Sequence, residues 1–349
     1  MAVRDNCLFH YRIPIFNLLA QRCDLTVGYS IGPGLTSTAN FKIEKLPIYK
    51  YKRLVLHKLN IFKLCQNFDV VIAYGDIAWL NLSTLPFRKN RNFKILFWAI
   101  GVSASYDKPF DYYKHWDKLR DFFYKKADGL LFYSEYPIQK YIRRGYCENK
   151  LFVAPNTVHV EKANPTQSTK NCILFIGTLY IQKGLLDLLE SYKSAVSKNP
   201  LVPNLEIIGG GKELEKVQHW VQVNKLSNKI ILHGAIFDNN EKVKIFQRSL
   251  ACISPNQAGL SLLESFGYGV PFITDKNAIT GGERFNIIDG ENGVLFESPT
   301  QLSGIILDIA SNPQKYITMG QNAKLFYENY RKPIDMVDGI FKAIQYVLI

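Results

Sequence analysis

The strongest constraint on the fold is a regular alternation of short apolar runs with longer amphipathic stretches. Several of the short runs are almost continuously apolar, which is typical of parallel strands buried on both faces. The stretches between them have helical periodicity, as at residues 112–126, 185–198, 213–223 and 240–247. This order predicts doubly wound α/β sheets. The predicted strands cover residues 2–8, 24–30, 70–73, 94–99, 129–133, 172–176, 205–208, 230–233, 250–254 and 271–274.

The alternation is interrupted once, over residues 158–170, which are polar, contain Pro165 and show no periodicity. We therefore predict a Rossmann-like domain over 1–157, a linker over 158–170 and a second Rossmann-like domain over 171–330. Two amphipathic patterns, 322–330 and 334–348, follow the last strand on either side of Pro333. We expect a C-terminal helix within 331–349 to cross back to the first domain, and a ligand to bind in the cleft between the domains.

Composition limits the class of protein. A hydrophobic share of 47% and a charged share of 21% are those of a soluble globular protein. No run approaches the roughly 20 apolar residues of a membrane-spanning helix, and the first residues lack the apolar core of a signal peptide. We therefore expect a cytoplasmic location. The six cysteines form no CxxC pair, so buried thiols are expected rather than a zinc site or disulfides.

The net charge of +13 is concentrated in the first half of the chain. Residues 1–155 hold 24 Lys and Arg against 12 Asp and Glu, which leaves +12, whereas residues 156–349 hold 19 against 18. Such asymmetry indicates an anionic partner for the first half. The anionic inner leaflet of the membrane and nucleic acid are both candidates, and a solvated basic surface is the alternative without a partner.

The most informative motif runs from residue 255 to residue 296. A strand ends there, a turn of small residues follows, and Gly259, Leu260 and Ser261 open a helix. Backbone N–H groups at a helix start, together with the helix dipole, form a natural phosphate site. Glu264 lies one turn further on, where its carboxylate can accept hydrogen bonds from a ribose diol. Gly269-Val270-Pro271 then ends the helix and starts the next strand.

This motif resembles the C-terminal signature of the retaining glycosyltransferases of family 4. Glu264 matches the second Glu of that signature, residues 269–271 match its Gly-x-Pro, and residues 290–293 match its Asn-Gly turn. Gln257 stands where the family has its first Glu, beside the donor sugar. The resemblance implies a GT-B fold, in which two Rossmann-like domains face a cleft, and it implies catalytic positions at Gln257, Lys183 and Glu264.

A second motif, residues 175–184, is similar to the glycine-arginine and lysine-glycine element of the same family. Gly177 permits a turn after a strand, Thr178 occupies the arginine position, and Lys183 matches the lysine that binds the diphosphate. The glycine run that includes Gly209 and Gly210 corresponds to a loop near the nucleotide. The resemblance places the backbone around Ile236 against the base.

Weaker signals lie in the first domain. The segment from Asn6 to Asn17 resembles a His-Tyr-Arg opening found in one branch of these enzymes, which would direct His10 and Arg12 to the acceptor side of the cleft, where Arg12 could contact phosphate. Ile100 stands before Gly101 where the family often has a histidine, and Asn156 resembles a residue at the hinge.

The resemblance therefore implies transfer of a hexose-type sugar, with retention, from a UDP- or GDP-linked donor to a saccharide or polyprenyl-diphosphate-linked acceptor. No metal and no further cofactor is expected. The setting would be lipopolysaccharide, capsule or related polysaccharide biosynthesis, peripheral on the inner face of the cytoplasmic membrane. Two alternatives stay open: a GT-B protein that binds nucleotide sugar without transferring it, and a basic nucleic-acid-binding protein, for which no motif is present. A third possibility, a GT-B epimerase, would need acid and base carboxylates in the cleft, and the sequence identifies none.

Overall fold

The computed structural model describes residues 2–3, 8–32, 38–104, 108, 110–112, 115–161 and 169–349. The chain forms two compact units. Unit 1 comprises Met1–Ser103, Asp111–His159 and Arg331–Ile349, and unit 2 comprises Ala104–Phe110 and Val160–Tyr330. Residues 162–168 of the predicted linker, and Asn6 and Cys7 of the predicted N-terminal motif, lie outside the described residues.

Unit 1 is built on a seven-stranded parallel sheet with the order β3-β2-β1-β6-β7-β8-β9. The central strands β6 to β8 are almost entirely buried, as their continuous apolar sequences predict. The strands of this unit are β1 (Ala2–Val3), β2 (Thr26–Tyr29), β3 (Lys42–Lys45), β4 (Ile48–Tyr51), β5 (Leu54–His57), β6 (Val70–Tyr74), β7 (Lys94–Ala99), β8 (Gly129–Phe132) and β9 (Leu151–Val153). The helices between them are α1 (Ile13–Ala20), α2 (Ile61–Cys65), α3 (Leu80–Ser83), α4 (Trp116–Tyr124) and α5 (Ile138–Arg143).

Strands β4 and β5 stand apart from the main sheet as an antiparallel hairpin. Its inner face is anchored by Val55 and His57, which are both 6% exposed. The His57 backbone N–H donates to Asn81 Oδ1 (2.7 Å), and the imidazole packs against Trp79 with ring centroids 5.4 Å apart. Neither ring nitrogen of His57 has a hydrogen-bond partner among the described residues. Burial therefore lowers the pKa of His57 from 6.5 to about 4.

This buried imidazole predicts a pH-dependent stability of unit 1. The unfolded chain binds a proton at His57 near pH 6.5, whereas the folded chain does so only near pH 4. The contribution of His57 is therefore fully present above pH 6.5 and is lost as the pH falls towards 4, by about 2 kcal/mol at pH 5. Urea unfolding of wild type and His57→Gln at about pH 7.5 and about pH 5 measures how much unfolding free energy each protein loses between the two pH values. These values lie roughly one to two pH units either side of the ordinary histidine pKa. Parallel losses in the two proteins would exclude this role.

Unit 2 is built on a six-stranded parallel sheet with the order β12-β11-β10-β13-β15-β17. Its main core lies under β10 and β11, where the apolar faces of α6 and α7 pack. The strands are β10 (Cys172–Ile176), β11 (Asn204–Ile208), β12 (Ile230–Gly234), β13 (Ser249–Ile253), β14 (Gln257–Ala258), β15 (Phe272–Asp275), β16 (Ile279–Thr280) and β17 (Gly293–Phe296). The helices are α6 (Leu185–Lys198), α7 (Leu214–Val223), α8 (Asn239–Arg248), α9 (Leu260–Gly267), α10 (Leu302–Ser311) and α11 (Pro313–Tyr330).

The last helix, α12 (Pro333–Leu348), belongs to unit 1. It buries Met336, Val337 and Ile340 in the same core as Phe16 of α1. A Cβ on Gly339 would lie 2.1 Å from the carbonyl oxygen of Val153 on β9, so only glycine permits this approach of helix and strand. None of the helices in the described ranges is long and apolar enough to cross a membrane.

The structure confirms the alternation of strands and helices, with differences in detail. Of the predicted strand 2–8, the structure describes β1 at Ala2–Val3 and places Leu8 outside a strand, whereas residues 4–7 lie outside the described residues. Helix α4 begins at Trp116 rather than at residue 112. Strands β3, β9 and β17 and the hairpin β4–β5 have no counterpart among the predicted strands. Each of these strands covers only three or four residues, which is too short to establish a periodicity in the sequence.

Candidate functional site

The predicted donor residues gather at the carboxyl edge of the unit 2 sheet. The loops after β10, β11 and β12 are joined there by backbone hydrogen bonds. Gly177 N–H donates to Ile208 O (3.0 Å), Leu179 N–H donates to Gly210 O (2.9 Å), and Gly209 N–H donates to Gly234 O (2.8 Å). In open α/β sheets this edge is where ligands bind.

Glycine is required where two of these loops touch. A Cβ on Gly209 would lie 2.0 Å from the carbonyl oxygen of Gly177, a distance that no side chain tolerates. A Cβ on Gly210 would meet only the Ala235 Cβ, at 3.6 Å. Thr178 follows Gly177 and is exposed. The loops after β10 and β11 therefore contact each other through their backbones. Their surface consists of main-chain groups and a few polar side chains.

Lys183 is the main cation of this edge. It ends a short 3₁₀ turn, Ile181–Lys183, before α6, and it is 7% exposed. Its Nζ lies 3.1 Å from where a Cβ on Gly177 would be, so the ammonium sits directly beside the glycine turn. It has no ion pair or side-chain hydrogen bond with any described residue. Burial lowers the pKa of Lys183 to about 8, with partial compensation from Cys252 and Glu283. A buried cation without a counterion is suited to receive an anion.

The loop after β13 closes on the same turn. Asn256 N–H donates to Lys183 O (3.4 Å), and the space above Gly184 is filled by the Asn256 amide. The Tyr180 hydroxyl donates to Gln257 Oε1. The structure therefore brings Gln257 to the turn that carries Lys183 and holds its amide in a fixed orientation. Tyr180 and Asn256 were not predicted from the sequence.

Helix α9 starts next to this loop, as predicted. Gly259 is its N-cap, and a Cβ there would meet nothing within 4 Å, so the helix start is open. The N–H groups of Leu260 and Ser261 belong to the first turn and have no acceptor within the helix. The Ser261 Oγ is buried and has no hydrogen-bond partner in the described part of the chain. Open N–H donors and the dipole of the helix favour an anion at this position.

Glu264 has a partner that the sequence did not reveal. Lys242 of α8 donates from Nζ to Glu264 Oε1 at 2.8 Å, and both side chains are 16% exposed. A ribose diol that bound to Glu264 would therefore add to this ion pair or replace it. The two residues are 22 positions apart on different helices, and no local pattern links them.

Ile236 lies in the loop that follows β12, as predicted. It is half-buried, and the neighbouring Ala235 faces Gly210 across the two loops. Phe237, which the sequence analysis did not single out, is 88% exposed beside it. The exposed ring gives this loop an apolar surface that a planar group could contact.

Two of the predicted residues of unit 1, Arg12 and Asn156, contact each other. Arg12 is 4% exposed, donates from Nη2 to Asn156 Oδ1 (2.6 Å), and has its guanidinium carbon 5.8 Å and 5.6 Å from the ring centroids of Trp98 and Tyr133. The structure thus joins Arg12 and Asn156 directly, whereas His10 is exposed. A phosphate contact by Arg12 stays a prediction.

Gly101 follows β7 with a φ of +83° and is held through its carbonyl. Both Tyr141 OH (2.8 Å) and Arg120 Nη1 (3.3 Å) donate to Gly101 O. Arg120 is in turn paired with Asp117 at 2.7 Å. These contacts fix the backbone at the position where the resemblance expects a sugar contact.

Comparisons with known proteins find similarity to glycosyltransferases. Residues 159–326 match the family model described as "Glycosyl transferases group 1". An uncharacterized glycosyltransferase, MJ1178 of Methanocaldococcus jannaschii, is 28% identical over 201 residues, which are 55% of this chain and 54% of the relative. The poly(glycerol-phosphate) alpha-glucosyltransferase of Bacillus subtilis is 24% identical over 215 residues, which are 59% of this chain and 31% of that enzyme. The chain thus spans about half or less of the length of these relatives.

Among solved structures, Anabaena Alr3699/HepE in complex with UDP superposes with a TM-score of 0.75. The alignment covers 99% of both chains at 13% sequence identity, which establishes a shared fold. The two parallel sheets of units 1 and 2 are the two Rossmann-like domains of that fold. Residues 159–326 thus match the model of the group 1 glycosyltransferases, and the chain has the GT-B fold.

Proposed function

We propose that the chain transfers a hexose-type sugar from a nucleoside diphosphate sugar to an acceptor hydroxyl. The observation that carries this proposal is the buried ammonium of Lys183, which forms no ion pair with a described residue and lies beside the glycine turn at Gly177. Phosphate is the anion that such a turn and the open start of α9 would take. The donor is UDP- or GDP-linked, as the resemblance implies. Alr3699/HepE, which shares the fold, has been solved with UDP.

In the proposed reaction, the bond between the anomeric carbon and the diphosphate oxygen breaks, and a bond to the acceptor oxygen forms. The acceptor proton passes to the departing diphosphate oxygen. Lys183 and the N–H groups of Leu260 and Ser261 stabilise the charge that develops on that diphosphate. Glu264 binds the ribose, and Thr178 adds a hydroxyl to the phosphate contacts. The acceptor attacks from the face that the leaving group vacates, which gives retention.

We further propose that the transfer needs no metal, because the ammonium and the helix start supply the positive charge. Turnover should then be unchanged after dialysis against EDTA. The amide of Gln257 would bind a sugar hydroxyl, and it cannot stabilise positive charge as a carboxylate would. The identity of the sugar therefore depends on what the Tyr180–Gln257 pair accepts.

The proposed acceptor is a saccharide or a polyprenyl-diphosphate-linked chain bound by unit 1. Support comes from the charge of +12 on residues 1–155, which suits an anionic acceptor and an anionic membrane surface. The Bacillus subtilis relative is named for a glycerol-phosphate polymer. We therefore propose a role in cell-surface polysaccharide biosynthesis, such as capsule or lipopolysaccharide, at the inner face of the membrane.

One rival has a specific observation in its favour. Gln257, Thr178 and Ile100 each replace a residue that the family uses for binding or catalysis, which is compatible with nucleotide-sugar binding without transfer. Release of nucleoside diphosphate from donor and acceptor pools separates the two functions. Transfer predicts release that Glu264→Ala strongly reduces, whereas the rival predicts the same background release in wild type and variant.

The pKa of Lys183 predicts the pH dependence of nucleotide binding. Because the ammonium of the free protein deprotonates near pH 8, affinity for a nucleoside diphosphate should be highest below pH 8 and should fall as the pH rises to 9.5, about a pH unit and a half above that pKa. Lys183→Arg keeps its charge throughout this range, so its affinity should lack this decline. Calorimetric titrations across the range measure both. A parallel decline in the two proteins would assign the effect to another group.

A further inference from the structure

The hairpin β4–β5 has an unusual distribution of side chains. Its register pairs Tyr49 with Leu56 and Tyr51 with Leu54, which places these four side chains on one face. All four are exposed: Tyr49 by 64%, Tyr51 by 72%, Leu54 by 46% and Leu56 by 44%. We call this set the hairpin face. An exposed antiparallel face is ordinarily polar, so an apolar one indicates a surface that contacts something.

The opposite face of the hairpin explains why this orientation is fixed. Val55 and His57 point into the core of unit 1, and Val55 also bridges to Trp79. A slip by one residue would expose Val55 and His57 and bury the tyrosines. The anchoring contacts of His57 with Asn81 and Trp79 oppose such a slip. The apolar side chains are therefore held outward by the fold.

Cations surround the hairpin face. Residues 45–59 contain five Lys and Arg and no Asp or Glu. Lys58 lies over the Tyr49 ring, 4.5 Å from its centroid, and Lys52 lies over the Tyr51 ring at 5.6 Å. Neither of these lysines, nor Lys50 or Arg53, has an ion pair with a described residue. Tyrosines that carry apolar rings with polar tips, flanked by lysines, are the side chains that favour a membrane–water interface.

We propose that the hairpin face docks unit 1 on a bilayer that contains anionic lipids. Tyr49, Tyr51, Leu54 and Leu56 would enter the boundary between headgroups and acyl chains, while Lys52, Arg53 and Lys58 bind the phosphates. The absence of acidic residues from 45–59 fits a uniformly negative surface better than a protein partner. A stable protein interface also needs about 800 Å² per partner, and four side chains are few for that. This inference rests on the membrane association proposed above and assigns it to one element.

The test uses the full chain and sedimentation with vesicles of phosphatidylcholine alone or mixed with phosphatidylglycerol. Wild type should bind the mixed vesicles and not the neutral ones. Each surface cation contributes about a fivefold change in partitioning, so Lys52→Glu/Arg53→Glu should reduce binding by at least about 25-fold. Tyr49→Ser/Tyr51→Ser should reduce binding at unchanged net charge. The control Lys94→Glu/Lys150→Glu alters two exposed lysines of the same unit, with the same change in charge, and should retain most of the binding.

Tyr51→Trp provides a direct readout, because its emission should shift to shorter wavelength and resist acrylamide quenching on mixed vesicles. Two results would overturn the proposal: equal vesicle binding by wild type and the two hairpin variants, or full quenching of the added indole in vesicle-bound Tyr51→Trp protein. A change in the oligomeric state of the hairpin variants in solution would instead identify a second copy as the occupant.

UDP titration of the same variants should match wild type. If neither UDP nor any of the other nucleotides bound to the wild type, the proposed donor site would be refuted and the vesicle result would stay intact.

Discussion

Lys183→Ala is expected to lower kcat/KM for the donor by at least about a hundredfold. The ammonium is buried beside the turn at Gly177 and forms no ion pair with a described residue, so its charge is available to the diphosphate that departs. Removal of one group that stabilises developing charge in such a site costs about 10²–10³ in rate. Initial rates at subsaturating donor, followed by release of nucleoside diphosphate, measure this loss.

Two variants make this result interpretable. Lys193→Ala removes an exposed lysine from α6, which follows the same turn, and should leave kcat/KM unchanged. Lys183→Arg keeps the charge with a different shape and should recover part of the lost rate. If Lys183→Ala retained wild-type kcat/KM, the diphosphate would have to be bound elsewhere, and the proposed donor site would be wrong.

Gly209→Ala is expected to destabilise unit 2 by at least about 3 kcal/mol. The added methyl carbon would lie 2.0 Å from the carbonyl oxygen of Gly177. Neither backbone can retreat without breaking the hydrogen bonds that join Gly177 to Ile208 and Gly209 to Gly234. Overpacking of this kind usually costs about 1–3 kcal/mol, and a clash between two backbones lies at the upper end or beyond. Urea unfolding monitored by circular dichroism measures the change.

Gly210→Ala is the matched control, one residue along the same loop. Its Cβ would contact only the Ala235 Cβ at an ordinary 3.6 Å, and the unfolding free energy should change by less than about 1 kcal/mol. Equal destabilisation by the two substitutions would mean that the loop tolerates no side chain at all. Equal tolerance would contradict the close approach of the loops after β10 and β11.

The core strands and the helix start of α9 could be predicted because they follow from local patterns. Strand β10 is continuously apolar, and a small-residue turn precedes Leu260 as expected of a phosphate-binding helix start. The hairpin β4–β5 could not be predicted in this way. Its outward face is apolar, so the alternation that marks a half-buried strand gives no indication of which side is buried.

The loops that form the candidate site could be predicted from the sequence, but the side-chain contacts between them could not. The positions of Lys183 and Gln257 in the two motifs predict them as site residues. The hydrogen bond from Tyr180 to Gln257 depends instead on how two loops pack against each other. The ion pair of Lys242 with Glu264 likewise depends on the packing of α8 against α9. The contacts of the buried Arg12 with Asn156, Trp98 and Tyr133 were also not predicted, and its contact with a ligand stays a prediction. Such long-range contacts leave no periodic signal in one sequence.

The most direct test of the donor site is the thermal unfolding of the wild-type chain with UDP, GDP, dTDP, ADP and CMP, followed by the sugar conjugates of any nucleotide that binds. A ligand that binds only the folded chain stabilises it by about 2.7 kcal/mol at a hundredfold excess over its dissociation constant. We predict such a shift with at least one nucleoside diphosphate, with a smaller shift for Lys183→Ala. An unfolding curve that none of these ligands moves would contradict the assignment of the carboxyl edge of unit 2 as a nucleotide-sugar site.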